Sequence, residues 1–170
     1  AFKSEAQVSR FESMLWPRPW SLEQFRQLVE PASRFPVWLR NTVYISLITP
    51  LVATLIAALC AYALTRLRWR GTRLVANGIL VAYLLPPVLL VIPIHQLFRR
   101  LGLTDTLTAL LVSYPALILP FAVWLLMGHF AALPDELEAA ALVDGCNRWQ
   151  AFFRIILPLT QPGLVAVALF

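Results

Sequence analysis

The sequence predicts an all-α polytopic membrane protein, on two observations: how apolar the chain is and where its charges fall. Of 170 residues, 59% are hydrophobic and 14% charged, with a mean hydropathy of +0.72. A soluble domain runs at about 45–50% apolar and about 25% charged, and a disordered chain is more polar still. Both classes are excluded. No Asp, Glu, Lys or Arg occurs between Arg40 and Arg66, between Arg73 and Arg99, or between Asp105 and Asp135. A helix of about 25 residues reaches about 37 Å, against a hydrocarbon core of about 30 Å. Each gap can cross a bilayer, and three of them in so short a chain argue against buried helices of a soluble core.

Taken in order, residues 1–40 carry ten charges, six basic and four acidic, interleaved and nearly balanced. They read as an external segment that followed an earlier span, since Ala1 is not an initiator Met and no signal-peptide apolar core comes after it. Within it, residues 21–30 form a short amphipathic helix. Ser21 caps it, Gln24 completes a capping box, and Leu22, Phe25, Leu28 and Val29 share a face. The W-P-R-P-W run from Trp16 to Trp20 is a rigid aromatic turn suited to a membrane interface.

The membrane domain, 41–170, opens with a span over 41–65. Arg66, Arg68, Arg70 and Arg73 crowd the short loop that follows. The positive-inside rule puts this loop and 129–158 in the cytoplasm, leaving 1–38 and 96–105 outside. A second span over 74–97 contains Pro86, Pro87 and Pro93, and a third over 106–130 contains Pro115 and Pro120. Interior prolines remove a hydrogen bond and kink a helix. In lipid such a helix either packs bent or lines a path where the freed carbonyls find partners. A fourth apolar segment, 159–170, stops too early to cross and reads as a truncated span.

Between the third and fourth spans, 131–158 is polar enough to leave the membrane but is not a linker. Leu133-Pro134-Asp135-Glu136 opens a helix, with proline at the first helical position and acids in the first turn. Three alanines, Ala139, Ala140 and Ala141, continue it, and Asp144-Gly145 closes it, since glycine accepts a left-handed C-terminal turn. A second short helix over 148–156 carries Trp149, Phe152, Phe153 and Ile156 at helical spacing and ends before Pro158. Two helices bent at a glycine make a compact knob whose small side chains let another backbone approach.

These residues resemble the EAA loop of permease subunits of binding-protein-dependent ABC importers: E-A-A, three residues, G, nine residues, I-x-L-P. Here Ala139-Ala140-Ala141 is followed at the same spacing by Gly145 and by Ile155-Ile156-Leu157-Pro158. The departure is at the first letter, where Ala139 replaces glutamate, with Glu138 one residue earlier. Asn41 to Tyr44 (N-T-V-Y), Ala61 to Leu64 (A-Y-A-L) and Arg68 to Gly71 (R-W-R-G) also resemble the start and end of a core permease helix. Leu85-Pro86-Pro87, Gly102 to Thr106 (G-L-T-D-T) and the opening Phe2-Lys3-Ser4 are similar to the carbohydrate, maltose-type branch. On this resemblance the chain is a fragment of a six-span permease, from just after the first span into the fifth, with a cytoplasmic coupling helix.

The resemblance implies a multi-pass protein of the bacterial inner membrane that forms a translocation path with a second permease. It implies two ATP-binding subunits, which hold the ATP and Mg, and an external solute-binding protein that delivers a sugar or oligosaccharide. ATPase coupling then falls to Glu138, Ala139, Ala140, Ala141, Asp144, Gly145, Ile155, Leu157 and Pro158. No cofactor and no hydrolytic site is expected on this chain, which has no G-x-x-x-x-G-K-[ST] phosphate loop.

Catalytic and metal-binding constellations are poor. His95 and His129 lie at opposite span ends, and an interfacial histidine is usually just wet. Cys60, in an apolar run, and Cys146, in a polar loop, make neither a disulfide framework nor a paired metal motif. Asp135, Glu136 and Glu138 are ordinary helix-dipole partners. Arginines of 66–73 can touch anionic lipid, while nucleic acid does not fit so apolar a chain. Polar and aromatic groups that could line a sugar path are Asn41, Tyr44, Ser46, Thr49, Asn77, Tyr83, Ser113, Tyr114 and Trp124, each also able to make interhelical bonds. The competing reading is a secondary carrier or membrane-embedded enzyme with a chance loop match. The lack of intramembrane charge counts against a carrier whose coupling site uses charge.

Overall fold

The computed structural model describes residues 22, 25, 26, 28, 30, 33–67 and 69–170, and among these every regular element is helical. The chain divides into two compact units, 1–44 and 45–170. In the first, the Phe25 and Arg26 amides bond the Leu22 carbonyl at 3.0 Å, which starts a helical turn where the amphipathic helix is expected. Leu22, Phe25 and Leu28 are exposed. The Trp16–Trp20 turn, the Ser21 cap, Gln24, Val29, Arg68 and the Phe2-Lys3-Ser4 match lie outside the described residues.

Helix α1 runs Phe35–Arg66, six residues longer at its start than the charge gap suggests. The Ser33 hydroxyl accepts the Phe35 amide at 3.1 Å, and Trp38 N–H bonds Arg34 carbonyl at 3.0 Å, so helix begins at that cap and a single arginine, Arg40, does not interrupt it. The third span also holds as one helix, labelled α4 below (Leu107–Ala132), capped by Thr106, whose hydroxyl accepts from Ala109 N–H at 3.2 Å. Pro115 and Pro120 lie inside it, as Pro50 lies inside α1, without breaking either.

The second span is not one helix. It is α2 (Thr72–Tyr83) and α3 (Pro87–Arg100), bent by 97° at the break. Single interior prolines elsewhere are absorbed. Two in tandem remove successive donors, and the residue before a proline is driven from helical backbone. Pro86 accordingly has ψ 125°, and the last turn of α2 tightens, with Leu85 N–H reaching only back to Ala82 at 3.3 Å.

The loop gives α5 (Asp135–Val143) and α6 (Arg148–Leu159), after which α7 (Gln161–Leu169) turns away by 74°. Pro134 is the N-cap, with φ −57° and ψ 138°, one place earlier than expected. Helix α6 does not stop before Pro158. A π-helical turn over Phe152–Ile156 precedes it, and such a widened turn accommodates the missing N–H of a following proline. Thr160 makes the bend, its buried hydroxyl donating to the Ile156 and Leu157 carbonyls at 3.0 Å. Among the described residues two helices, α1 and α4, are long and apolar enough to cross a membrane, and four spans result if each bent pair is one.

The core joins α1 (Ala57, Ala58, Ala61, Tyr62, Leu64) to α4 (Ala122, Val123, Leu126, Phe130), α6 (Phe152, Ile156) and α7 (Val167). Alanines on α1 let its neighbours approach closely, which is how helices pack where lipid gives no hydrophobic drive. Phe130, Phe152, Leu126 and Ile156 are the largest side chains fully shut off from solvent. The contact of Arg66 with the C-terminal end of α4 puts the ends of α1 and α4 together. Residues 67–106 must therefore return along the roughly 39 Å of α4, and the bent α2–α3 pair makes that return. Glycine 163 matters to this packing: a Cβ there would lie 2.6 Å from His129 Cγ, so α7 crosses directly over the imidazole. His129 is half-buried, with Nδ1 3.0 Å from the Leu125 carbonyl, and is not the wet interfacial histidine expected.

Candidate functional site

The knob after α4 is built by its caps. At the end of α5, Gly145 N–H bonds Leu142 carbonyl at 3.2 Å and Cys146 N–H bonds Ala141 carbonyl at 3.0 Å. These two bonds around a left-handed residue are the Schellman motif, and Gly145 has the φ of +89° that it needs. Asn147 then starts α6 with a capping box: its side chain accepts Gln150 N–H and the Gln150 side chain accepts Asn147 N–H, both at 2.9 Å. The N-x-x-Q spacing at 147–150 carries that signal in the sequence, beside the apolar spacing that predicts the helix.

The two faces of α5 differ. Ala141 and Glu138 are buried; Ala139, Ala140, Leu142, Asp144 and Gly145 are exposed, and Val143 at the tip is 86% exposed. Farther on, Ile155 and Leu157 are half-buried and Pro158 exposed. Trp149 stacks on Phe153 on the outer side of α6, ring centroids 6.2 Å apart, whereas Phe152 and Ile156 enter the core. Trp149, Phe152, Phe153 and Ile156 thus split between surface and interior.

Sequence reasoning missed what holds the buried face. Glu138 is not an ordinary dipole partner: its carboxylate accepts from the Tyr62 hydroxyl at 2.6 Å, with the Arg148 guanidinium 3.6 Å away. Charge-assisted bonds of this kind are short and contribute about 1.5–3 kcal/mol. The Tyr62 ring packs on Phe152 at 4.8 Å and edge-on to Phe130 at 6.5 Å. One turn along α1, Arg66 pairs with the Asp135 carboxylate and donates to the Phe130 and Leu133 carbonyls at 2.7 Å each. Its side chain is 4% exposed, so Arg66 is folded into the knob and not free for lipid headgroups; Arg70 and Arg73 remain exposed. A guanidinium against the end carbonyls of α4 also sits at the negative pole of that helix. Arg66, Asp135, Glu138, Ala139, Leu142 and Arg148 line one small recess.

The residues suggested for a solute path are brought together only in part. Tyr83 stacks on Phe121 at 5.5 Å, and Phe121 also meets Trp124 at 6.3 Å and Phe170 at 4.6 Å. Tyr83 and Trp124 therefore share one aromatic cluster across α2, α4 and Phe170 just after α7. Thr49 is buried, its hydroxyl without a bonding partner among the described residues. Ser113 turns back to the Leu110 carbonyl at 3.5 Å, and Ser46, Asn77 and Tyr114 are exposed. In the first unit Asn41 is half-buried and Tyr44 exposed. Among the described residues no three His, Cys, Asp or Glu side chains gather where they could hold a metal ion.

Comparison with known proteins places the chain. The inner membrane ABC transporter permease protein YcjP of Escherichia coli is 35% identical, over all of this chain and 61% of its own length. A diacetylchitobiose uptake system permease protein of Streptomyces coelicolor, DasC, is 34% identical, again over all of this chain and 61% of its own. The trehalose/maltose transport system permease protein MalG of Thermococcus litoralis is 35% identical over 88% of this chain and 54% of its own. The chain thus spans well under two thirds of the length of these relatives. The same fold occurs in a bacterial ABC transporter involved in the import of the acidic polysaccharide alginate. The TM-score is 0.84 at 24% identity, over 99% of this chain and 58% of that one. Residues 38–170 match the family model of binding-protein-dependent transport system inner membrane components, and the chain belongs to that family.

Proposed function

We propose that this chain is part of a permease subunit of an ATP-driven importer of sugars or oligosaccharides, in which α5 and the Gly145 turn dock on a cytoplasmic ATPase. The observation that carries this reading is the projection itself. A short helix with a closed C-terminal motif presents Val143, Leu142 and two alanines outward while its other face is anchored in the bundle. Small residues allow a partner surface to come close, and the two aliphatic side chains give it apolar area to bury. Support for a sugar comes from relatives named for diacetylchitobiose and for trehalose and maltose. The Tyr83–Phe121–Trp124 cluster is chemically suited to it, since aromatic faces pack on the apolar faces of sugar rings.

On this reading a second permease completes the path, and two ATP-binding subunits hold ATP and Mg and carry out hydrolysis. An external solute-binding protein delivers the cargo. The test is reconstitution of the full complex in proteoliposomes, with trehalose, maltose and diacetylchitobiose as probe sugars. ATP hydrolysis is expected to rise when the loaded binding protein is supplied, and Asp144→Lys to weaken ATPase association while binding-protein docking persists. Single cysteines along 134–146 that cross-link to lipid or to the external protein, and never to the ATPase, would refute the docking assignment.

A further inference from the structure

We propose that Tyr62–Glu138 and Arg66–Asp135 form a two-rung latch that makes the C-terminal end of α1 and the α5 helix move as one body, with Tyr62 as the positioning residue. This rests on α5 being the ATPase contact. The covalent connections of α5 are both turning points: Pro134 with extended ψ before it and Gly145 at φ +89° after it. A push on the exposed tip at Val143 would pivot a helix held only at those two points. Besides its packing on α6, the attachments that oppose pivoting are the side-chain bonds to α1.

Tyr62 and Arg66 are four residues apart on α1, and Asp135 and Glu138 three apart on α5, so each pair shares a helix face. The contacts therefore run side by side as rungs. The rungs differ in character. Arg66–Asp135 is at the rim, the acid 59% exposed, whereas Tyr62–Glu138 is interior, with Glu138 only 7% exposed. The Tyr62 ring is held between Phe130 and Phe152, so its hydroxyl cannot swing to another acceptor. Arg148 brings α6 to the same carboxylate, which ties both halves of the knob to α1.

The experiment is spin-label distance measurement on the assembled complex. Labels go on Cys60, which is exposed on α1, and on Val143→Cys, in a Cys146→Ser background. With the native latch the Cys60-to-143 distance is expected to stay the same in nucleotide-free and ATP-bound complexes. Tyr62→Phe keeps the ring but removes the donor, and is expected to broaden that distance and make it shift between the two states. The double variant Tyr62→Phe/Glu138→Leu avoids stranding a buried carboxylate. Assembly is expected to recover in it while the state-dependent shift persists, which a purely structural role would not give. Glu138→Gln, whose amide oxygen still accepts the tyrosine proton, is expected to behave as native. A distance that changes between states in the native complex, or stays fixed in the double variant, would overturn the latch. Mobility of the label at 143 separates the two proposals: if adding the ATPase does not immobilise it, the docking assignment fails whatever the latch does.

Discussion

Substitutions at Gly145 isolate the cost of a backbone conformation. The residue has φ +89°, and a Cβ added there would meet nothing within 4 Å, so collision contributes nothing and any loss is conformational. An L-residue in the left-handed region is disfavoured by roughly 1–2 kcal/mol. Asparagine is tolerated better because its side chain bonds locally. A β-branched residue is a true outlier there, toward the roughly 3 kcal/mol end of local strain. The expected order of stability is Gly, then Asn, then Ala, then Val. About 1.4 kcal/mol is a tenfold change in population, so Gly145→Ala is expected to disorder the turn about tenfold more often than Gly. Val exceeds this, with loss of the Gly145–Leu142 and Cys146–Ala141 bonds. The measurements are thermal unfolding of the assembled complex in detergent and ATPase retention on affinity capture of the permease. If Gly145→Val keeps native retention and melting, or if Asn is the worst of the series, the argument from φ is wrong.

Gly163→Ala makes the opposite case, since the added Cβ would lie 2.6 Å from His129 Cγ. Overpacking of this kind costs about 1–3 kcal/mol, so a lower melting temperature is expected, with His129→Ala in the same chain restoring part of it; an unchanged melting point would place α7 farther from α4. Asn147→Ala removes one half of the capping box and is expected to lose about 1 kcal/mol, read as faster proteolysis within 144–152, whereas Asn147→Ser keeps a capping oxygen and stays near native.

Two of the spans, the loop and the Gly145 helix end follow from local chemistry and could be read residue by residue. The charge gaps set α1 and α4 because burying an ion in hydrocarbon is costly whatever packs beside it. Thr106 and Gly145 set ends because a cap bonds, and a positive φ is paid for, within a few residues of chain. The family loop was legible at Gly145 and Pro158 for the same reason. Where the prolines break the chain was less so. Pro115, Pro120 and Pro158 remain in helix while Pro86-Pro87 turns it by 97°, because what a proline does depends on whether neighbouring turns can widen or must end.

Glu138, Tyr62 and Arg66 mark the limit. In sequence Glu138 is one of three acids in a first turn, Arg66 one of four basic residues in a loop, and Tyr62 one aromatic in a span. Only the tertiary structure selects among them, because it brings residues 76 positions apart to 2.6 Å and buries one acid while leaving its neighbours in solvent. The sequence by itself determined that this chain crosses a membrane and carries a capped projection, since hydropathy and caps act locally. Which side chains brace that projection was decided by packing alone, because burial is a property of what lies across the core and not of what lies next in the chain.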